Sequence, residues 1–547
     1  MTFTIEDGVA IAMRDGCTLR ADIWLPDGDG PWPVLLQRTP YRREDVHGAQ
    51  YISALEYQAA LRRGYAIVVQ DTRGRFASDG DFTPFVHEAA DGADTIAWLR
   101  GQGFCDGRVG MFGASYVGAT QILAAIARPE GLMAIAPQLT TARHGETWTW
   151  RGGALELGFV LLWVIEALAG PDLDRRAAVL GPDRAGELAA LLARMQADPQ
   201  AAFAALPLAG DDLFDLAPYL RGWMDAARAA GAGGDREHLD ALSQSPVAML
   251  VTAGINDIFV EGSVELFETA LARGLGRDRL ILGPWSHGNP KDWQGEQWHG
   301  YAASTAFLSD AQLDFFDHVF RGGPDAPLVR YFRTGTNDWR SAGAWPLPGT
   351  RPMVLHLDGP ALAERPGTSP PRAYVADPLD PVPTTGGATF LPGLLVGRNS
   401  GVRDQQAVEA RADVLCFTSD PLPEATEITG PVRLSLQAAT DAPSTDWTAR
   451  LCEVLPDGRS LGLVDGIQRV DGAAGSVDVR LGHLAHVFAR GSRIRLQVAS
   501  SNFPRFDRNP QSGVAPALAG PGDMRPARQV VHGGRLTLPV VPSGQGG

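Results

Sequence analysis

RVGMFGASYVGATQILAAIAR, Arg108 to Arg128, is the stretch on which the reading of this chain turns. Val109 to Phe112 is a short apolar run of strand type. Gly113-Ala114-Ser115-Tyr116 is a sharp turn, and the residues through Thr120, Ile122 and Leu123 follow with the spacing of an amphipathic helix. A serine on a strand-to-helix turn is lifted clear of its neighbours on strained backbone, and it needs small residues beside it. Gly113, two before Ser115, meets that need. Two after it stands Val117, with Gly118 one place later, so the general G-x-S-x-G pattern is only partly met. A Gly-Ser turn without chemistry would look similar, and the rest of the chain has to decide.

Outward from the turn, apolar runs and helical patterns alternate. Val9, Ile11 and Met13, then Leu19, Ala21 and Ile23, alternate with polar residues around Asp15-Gly16, a hairpin signal. Val34 to Leu36 is a buried strand running into Arg38-Thr39-Pro40-Tyr41. Ile52 to Arg63 has helical spacing and stops at Gly64. Ala66 to Val69 is a strand, Glu88 to Leu99 a helix, and Leu132 to Ala136 the strand after the serine turn. Strands alternating with helices of this length imply an α/β fold with a doubly wound, mostly parallel sheet.

Near Thr147 the character changes. Gly153 to about Ala232 is rich in Ala and Leu with helical periodicity, as in Glu187 to Met195, and carries no strand pattern; it reads as an inserted helical cap. The α/β pattern resumes with the strand Val247 to Thr252, the helix Gly262 to Arg273, the strand Leu280 to Leu282, and a helix over Asp310 to Arg321 with Ser309 as its expected N-cap. From about Thr350 Pro and Gly become dense, and short alternating segments recur (Val432 to Leu436, Trp447 to Val454, Val477 to Leu481, Ile494 to Val498, Leu536 to Val540). This predicts an all-β unit, a sandwich or jelly roll. The boundaries are 1–146 and 241–348 for the two parts of the α/β core, 147–240 for the cap and 349–547 for the β unit.

A chain of 547 residues is too long for one core. Its net charge of −15, spread along the sequence, argues against nucleic acid and against an anionic membrane as partners. Four dispersed cysteines (Cys17, Cys105, Cys416, Cys452) form no C-x-x-C pair and read as reduced thiols. The N-terminus has no signal-peptide pattern. The most apolar stretch, Phe159 to Ala169, is too short to span a membrane and carries Glu166. A cytoplasmic location is expected. With no H-E-x-x-H and no phosphate-binding glycine loop, neither a metal nor a cofactor is expected. A homodimer is compatible with the sequence.

Open α/β sheets place functional groups just past the carboxyl ends of their strands. Val247 to Thr252 leads into Asn256-Asp257, and Leu280 to Leu282 into Gly283-Pro284-Trp285-Ser286-His287. The chain order Ser115, Asp257, His287 is that of an α/β-hydrolase triad. A serine hydroxyl needs a base to take its proton as it attacks, and the base needs a carboxylate to fix its tautomer. Asp278 competes with Asp257 but precedes its strand, and no strand leads into His299. An oxyanion hole would draw on the Tyr116 backbone N–H and, since the loop after Val34 to Leu36 has no glycine run, on the phenol of Tyr41. His532-Gly533-Gly534 matches a hydrolase HGG motif but lies in the β unit, where it reads as a turn.

Arg38-Thr39-Pro40-Tyr41, Gln70-Asp71-Thr72-Arg73-Gly74, Gly113-Ala114-Ser115-Tyr116-Val117-Gly118, Asn256-Asp257-Ile258-Phe259, Gly283-Pro284-Trp285-Ser286-His287 and Ser501-Asn502-Phe503-Pro504-Arg505-Phe506-Asp507 together resemble the X-Pro dipeptidyl-peptidase/cocaine esterase family of serine hydrolases. The resemblance spans nearly the whole chain and implies an α/β-hydrolase core, a helical cap and a C-terminal jelly roll. It implies Ser115, Asp257 and His287 as the triad, and Tyr41 with the Tyr116 amide as the oxyanion hole. In the esterase branch an aromatic acyl pocket is formed by the cap and by the residues beside the triad aspartate. Trp148 or Trp150, Trp163 and Phe259 match those places. The resulting expectation is a serine hydrolase that cleaves carboxylic esters, including those of bulky aromatic acids, through an acyl-enzyme. An Xaa-Pro dipeptidyl peptidase and an α-amino acid ester hydrolase or β-lactam acylase are the family alternatives, the latter kept open by Glu156 and Glu166 in the cap. A binding protein on a relic hydrolase core is the alternative of another class.

Overall fold

The computed structural model describes residues 3–45, 55–224, 236–287, 291–391, 400–473 and 475–542. The first sheet holds ten strands: β1 (Phe3–Ala12), β2 (Thr18–Pro26), β3 (Trp32–Thr39), β4 (Ala66–Asp71), β5 (Cys105–Ala114), β6 (Leu132–Gln138), β7 (Ala248–Asn256), β8 (Arg279–Ser286), β9 (Val329–Arg333) and β10 (Asp338–Ala342). They are hydrogen-bonded in the order 1-2-4-3-5-6-7-8-9-10. β4 through β9 pair in parallel, while β1, β2 and β10 join antiparallel at the edges. The sheet is therefore mixed. The Asp15-Gly16 hairpin forms as expected, with Ala12 opposite Thr18 and Gly16 at φ 84°.

The apolar runs of the central strands are explained by helices on both faces. Leu36, Val68, Met111 and Ile135 share one core with α2 (Glu88–Arg100), α3 (Tyr116–Ala127) and α7 (Val260–Ala272). Leu35, Ile67, Phe112 and Ala134, one residue out of step, pack on the other face with α1 (Tyr57–Arg62) and α8 (Leu308–Arg321). The helix read from Ile52 is thus seen from Tyr57; residues 52–54 lie outside the described ones, as do 225–235 at the end of the cap. Ser309 is not an N-cap. The helix begins one residue before it, and the Ser309 hydroxyl instead accepts the Glu56 backbone N–H at 2.9 Å.

The segment between β6 and β7 is mostly helical from Leu157 on, but it opens with a small hairpin (Trp150–Arg151 with Ala154–Leu155) that the helical periodicity concealed. α4 (Leu157–Trp163) then widens into a π-helical turn (Val164–Leu168) before α5 (Ala169–Leu180) and α6 (Pro182–Ala197). Among the described residues no helix is long and apolar enough to cross a membrane.

Beyond Arg351 the chain forms a second ten-stranded sheet with its own apolar core. Each alternating segment read from the sequence falls inside a strand: Val432 to Leu436 in Thr426–Thr440, Trp447 to Val454 in Ser444–Val454, Val477 to Leu481 in Ser476–Phe488, Ile494 to Val498 in Arg493–Ala499, and Leu536 to Val540 in Ala527–Val540. Leu434, Leu436, Val479, Leu481, Leu536 and Leu538 point into one core, with Trp447, Leu451, Leu496 and Val498.

A chain of buried ions joins the β unit to the cap. Arg505 is 1% exposed and pairs with Asp465 at 2.5 Å and Glu156 at 3.4 Å. Asp465 also pairs with Arg450 at 2.7 Å, and Glu156 with Arg151 at 3.1 Å. Burial pushes the Asp465 carboxyl up, but Arg505 and Arg450 more than offset this and hold it at about 2. Removing one partner strands the others away from water, at a cost of about 3–5 kcal/mol. Arg505→Met should lower the unfolding free energy by that amount in urea titrations at neutral pH. A folded-state pKa below the unfolded value stabilises above about pH 4, and that stability is lost as pH falls toward 2. The Arg505→Met protein should show a shallower acid slope; an unchanged midpoint and slope would mean that the network contributes nothing.

Candidate active site

Three side chains meet at the carboxyl ends of β5, β7 and β8. Ser115 stands between β5 and α3 with φ 59° and ψ −126°, a conformation that L-residues rarely adopt. The two flanking glycines have separate reasons. A Cβ on Gly113, itself at φ 126°, would run into the Val117 side chain. A Cβ on Gly118 would stand 2.6 Å from Thr140 Cγ2, in the loop after β6. The second glycine is therefore displaced by one place because helix α3 meets its neighbour there, while Val117 fills the space beside Gly113.

His287 Nε2 lies 3.1 Å from Ser115 Oγ, and His287 Nδ1 lies 2.7 Å from Asp257 Oδ2. All three residues are at most 3% exposed. The other Asp257 oxygen accepts the Phe259 N–H at 2.8 Å, which sets the carboxylate plane. Asn256 donates to the Pro284 carbonyl at 2.7 Å and ties the aspartate loop to the strand that delivers the histidine. Arg151 donates to the Ile258 carbonyl at 2.6 Å, so the ion chain from the β unit ends one residue from Asp257.

The Tyr41 hydroxyl accepts the Trp163 indole N–H at 3.0 Å. Burial pushes the phenol well above its ordinary pKa, so it stays a proton donor. Tyr116 opens α3, where its N–H has no acceptor within the helix. Its own hydroxyl donates to Glu88 at 2.9 Å and accepts the Phe85 N–H at 2.9 Å. Burial raises the Glu88 carboxyl, and Arg38, 3.0 Å away and wholly buried, opposes this. Arg38 of the first family motif thus acts two steps behind the serine turn.

Aromatic rings surround the three residues. Phe259 stands edge-on to His287 at 5.0 Å and stacks on Trp148 at 4.3 Å. Trp163 stacks on Phe159 and on Trp223, each at 5.7 Å. Of the two tryptophans left open by the sequence, Trp148 is the one seated on Phe259. Trp150, in the small hairpin, lines a groove with Leu155, Met224, Gln468 and Ala517. Sequence reading missed Phe85, Phe159, Trp223 and Phe390. Phe85, at φ 69°, stacks on Tyr116 and His144, and Phe390 stands 5.2 Å from His287. Burial and then His238 depress the His144 pKa well below the ordinary imidazole value, so it stacks as a neutral ring.

The competing residues have other partners. Asp278 accepts the Met249 N–H and pairs with Arg273 at 2.7 Å. His299 hydrogen-bonds Asn337, and His532 to Gly534 run within the strand Ala527–Val540. Glu156 is held by Arg151 and Arg505, and Glu166 is exposed.

Comparison with known proteins shows the family of the chain. Residues 15–289 match the X-Pro dipeptidyl-peptidase (S15 family) and residues 323–535 the X-Pro dipeptidyl-peptidase C-terminal non-catalytic domain. The chain is 35% identical to cocaine esterase of Rhodococcus sp. (strain MB1 Bresler), over 98% of this chain and 99% of that protein. Among solved structures, an α-amino acid ester hydrolase superposes with a TM-score of 0.80 at 25% identity, covering 98% of this chain and 97% of the other. An aminopeptidase from the marine sediment archaeon Thaumarchaeota archaeon does so with 0.78 at 25%, covering 99% and 97%. With the match across both parts of the chain, this protein belongs to the X-Pro dipeptidyl-peptidase (S15) family and is a hydrolase of the serine type.

Proposed function

We propose that the chain hydrolyses carboxylic esters through an acyl-enzyme, with Ser115 as nucleophile, His287 as general base and then acid, and Asp257 as the group that orients His287. The observation that carries this reading is the unbroken contact from Ser115 Oγ through the imidazole to the carboxylate, at 3.1 and 2.7 Å. Ser115 Oγ attacks the ester carbonyl as its proton passes to His287 Nε2. The Tyr116 N–H and the Tyr41 hydroxyl receive the negative charge that develops on the carbonyl oxygen. Collapse of the intermediate breaks the ester C–O bond, and the proton on His287 passes to the departing alkoxide. A water molecule, deprotonated in the same way, then releases the acid.

An aromatic acyl group suits the site. Phe259, Trp148, Phe159 and Trp163 would offer it ring faces and edges, each such contact being worth about 0.5–1.5 kcal/mol beyond the area it buries. The relative named cocaine esterase supports an ester as substrate. An α-amino acid ester would need a carboxylate for its amine, and the two cap glutamates are not available for that: Glu156 is already paired and Glu166 is exposed. In the same reading, 1–146 and 241–348 make the hydrolase core, 147–240 its cap and 349–547 a jelly roll.

Mixing stoichiometric protein with p-nitrophenyl benzoate should release a burst of about one equivalent of nitrophenol, and Ser115→Ala should abolish it with a loss of many orders of magnitude in turnover. Turnover of an Xaa-Pro anilide in preference to the ester would select the peptidase alternative. Tyr41→Phe should reduce kcat by roughly 10²–10³; an unchanged kcat would leave the phenol a packing group.

A further inference from the structure

We propose that Trp163 is a positioning residue for Tyr41: its indole N–H occupies the acceptor side of the phenol and thereby aims the phenolic proton at the oxyanion. The inference rests on the reading of Tyr41 as an oxyanion donor. A phenol hydroxyl prefers to lie in the plane of its ring, where it has two opposite orientations. The indole nitrogen, 3.0 Å from Tyr41 Oη, can only donate. It therefore claims a lone pair on one side of the phenol oxygen, and the hydroxyl proton is left to point to the other side. An aromatic wall for an acyl group would need only a ring at this place; the hydrogen bond needs an N–H on that edge.

Two further observations hold the indole to this task. Its ring is nearly parallel to those of Phe159 and Trp223, at 9° and 7°, and is 5% exposed, so close packing restrains it. Trp163 is also the last residue of α4, where the helix widens into the π turn Val164–Leu168. Arg75, wholly buried, donates from one edge to the Ala167 and Leu168 carbonyls of that turn at 2.9 and 3.1 Å. Another nitrogen of the same guanidinium donates to the Pro40 carbonyl at 2.9 Å. One rigid group thus sets the backbone just after Trp163 against the backbone just before Tyr41. π turns inside helices recur at functional positions.

The test is a double-mutant cycle on the full chain, with the p-nitrophenyl ester as substrate. Trp163→Phe keeps a stacked ring and removes the N–H. It should lower kcat about 5- to 15-fold, the effect of one hydrogen bond, with KM within about twofold. In a Tyr41→Phe background the same change should cost less than about twofold, because no phenol remains to be aimed. Trp163→His, whose Nε2 overlays the indole nitrogen, should recover part of the loss. Should the smaller ring unsettle the cap, 3-benzothienylalanine at position 163 keeps the indole shape with sulfur in place of N–H, and the same losses are expected. Equal losses in both backgrounds, or a loss confined to KM, would overturn the proposal and leave Trp163 as pocket wall. A Tyr41→Phe protein with unchanged kcat would overturn it too, but by removing the oxyanion role of Tyr41 on which it stands.

Discussion

Hydrogen bonds run from Ser115 through His287 to Asp257 and from Trp163 to Tyr41, and the direction of each set is dictated by its end group. An indole N–H can only donate, and a carboxylate can only accept. His287 Nδ1 must therefore carry the proton that meets Asp257, which leaves Nε2 bare and obliges Ser115 to donate to it. The Tyr41 oxygen in turn accepts from Trp163, which leaves its own proton to donate elsewhere. No link can reverse without leaving a buried group unsatisfied, at about 1–3 kcal/mol for each. The five residues come from five segments of chain, so the fold serves these bonds only if those segments cannot drift apart.

The structure prevents drift with buried arginines rather than with apolar packing alone. The segments that carry these bonds are irregular: the loop after β3, the π turn of the cap and the loop after β7. Irregular backbone inside a protein leaves carbonyls without partners. A guanidinium brings several donors in a rigid plane, so one side chain can satisfy carbonyls on two segments at once. Arg75 does this for Pro40, Ala167 and Leu168, while Arg151 satisfies the Ile258 carbonyl. Each buried cation then needs a counter-charge, supplied by Asp172 for Arg75 and by Glu156 for Arg151. Glu156 in turn calls on Arg505 and Asp465, which lie in the β unit. The second sheet is thus part of how the Asp257 loop is held.

What was legible in the sequence follows from the range over which each signal acts. The alternating and apolar segments named from the sequence, the Asp15-Gly16 hairpin and the serine turn are local patterns of period, glycine and apolar run, and each falls in the element expected of it, whereas strands such as Val329–Arg333 and Ser460–Asp471 were not legible. Ser115, Asp257 and His287 could be picked out because each follows a strand end, which is again local. Contacts between segments distant in sequence leave no such mark. The sequence leaves Glu156 open as a group for a substrate amine because it does not reveal Arg505, 349 residues away and bonded to it. Ser309 was given to its own helix because nothing placed Glu56 beside it. Phe85, Phe159 and Phe390 sit in stretches without periodicity or inside an evenly apolar helix, so no face could be assigned. Trp148, in a turn, and Trp150, in the small hairpin, stand two residues apart and are both buried, and only the stacking on Phe259 separates them.

The strain at Ser115 is tolerated because it is confined to one residue. A positive φ with a side chain costs on the order of 1–3 kcal/mol. The backbone polar groups of Ser115 nevertheless keep their partners: its N–H reaches the Gln138 carbonyl at 2.9 Å, and its own carbonyl accepts from Gly118 and Ala119 at 2.9 and 3.0 Å. These bonds join β5 to β6 on one side and start α3 on the other, so relaxing the turn would mean breaking a strand pairing or the first turn of a helix. Tyr116 through Ala125 is buried throughout, which makes that helix start expensive to move. The serine is held out of an ordinary conformation by packing that reaches across both faces of the sheet, and its hydroxyl therefore meets the imidazole without any element having to move first.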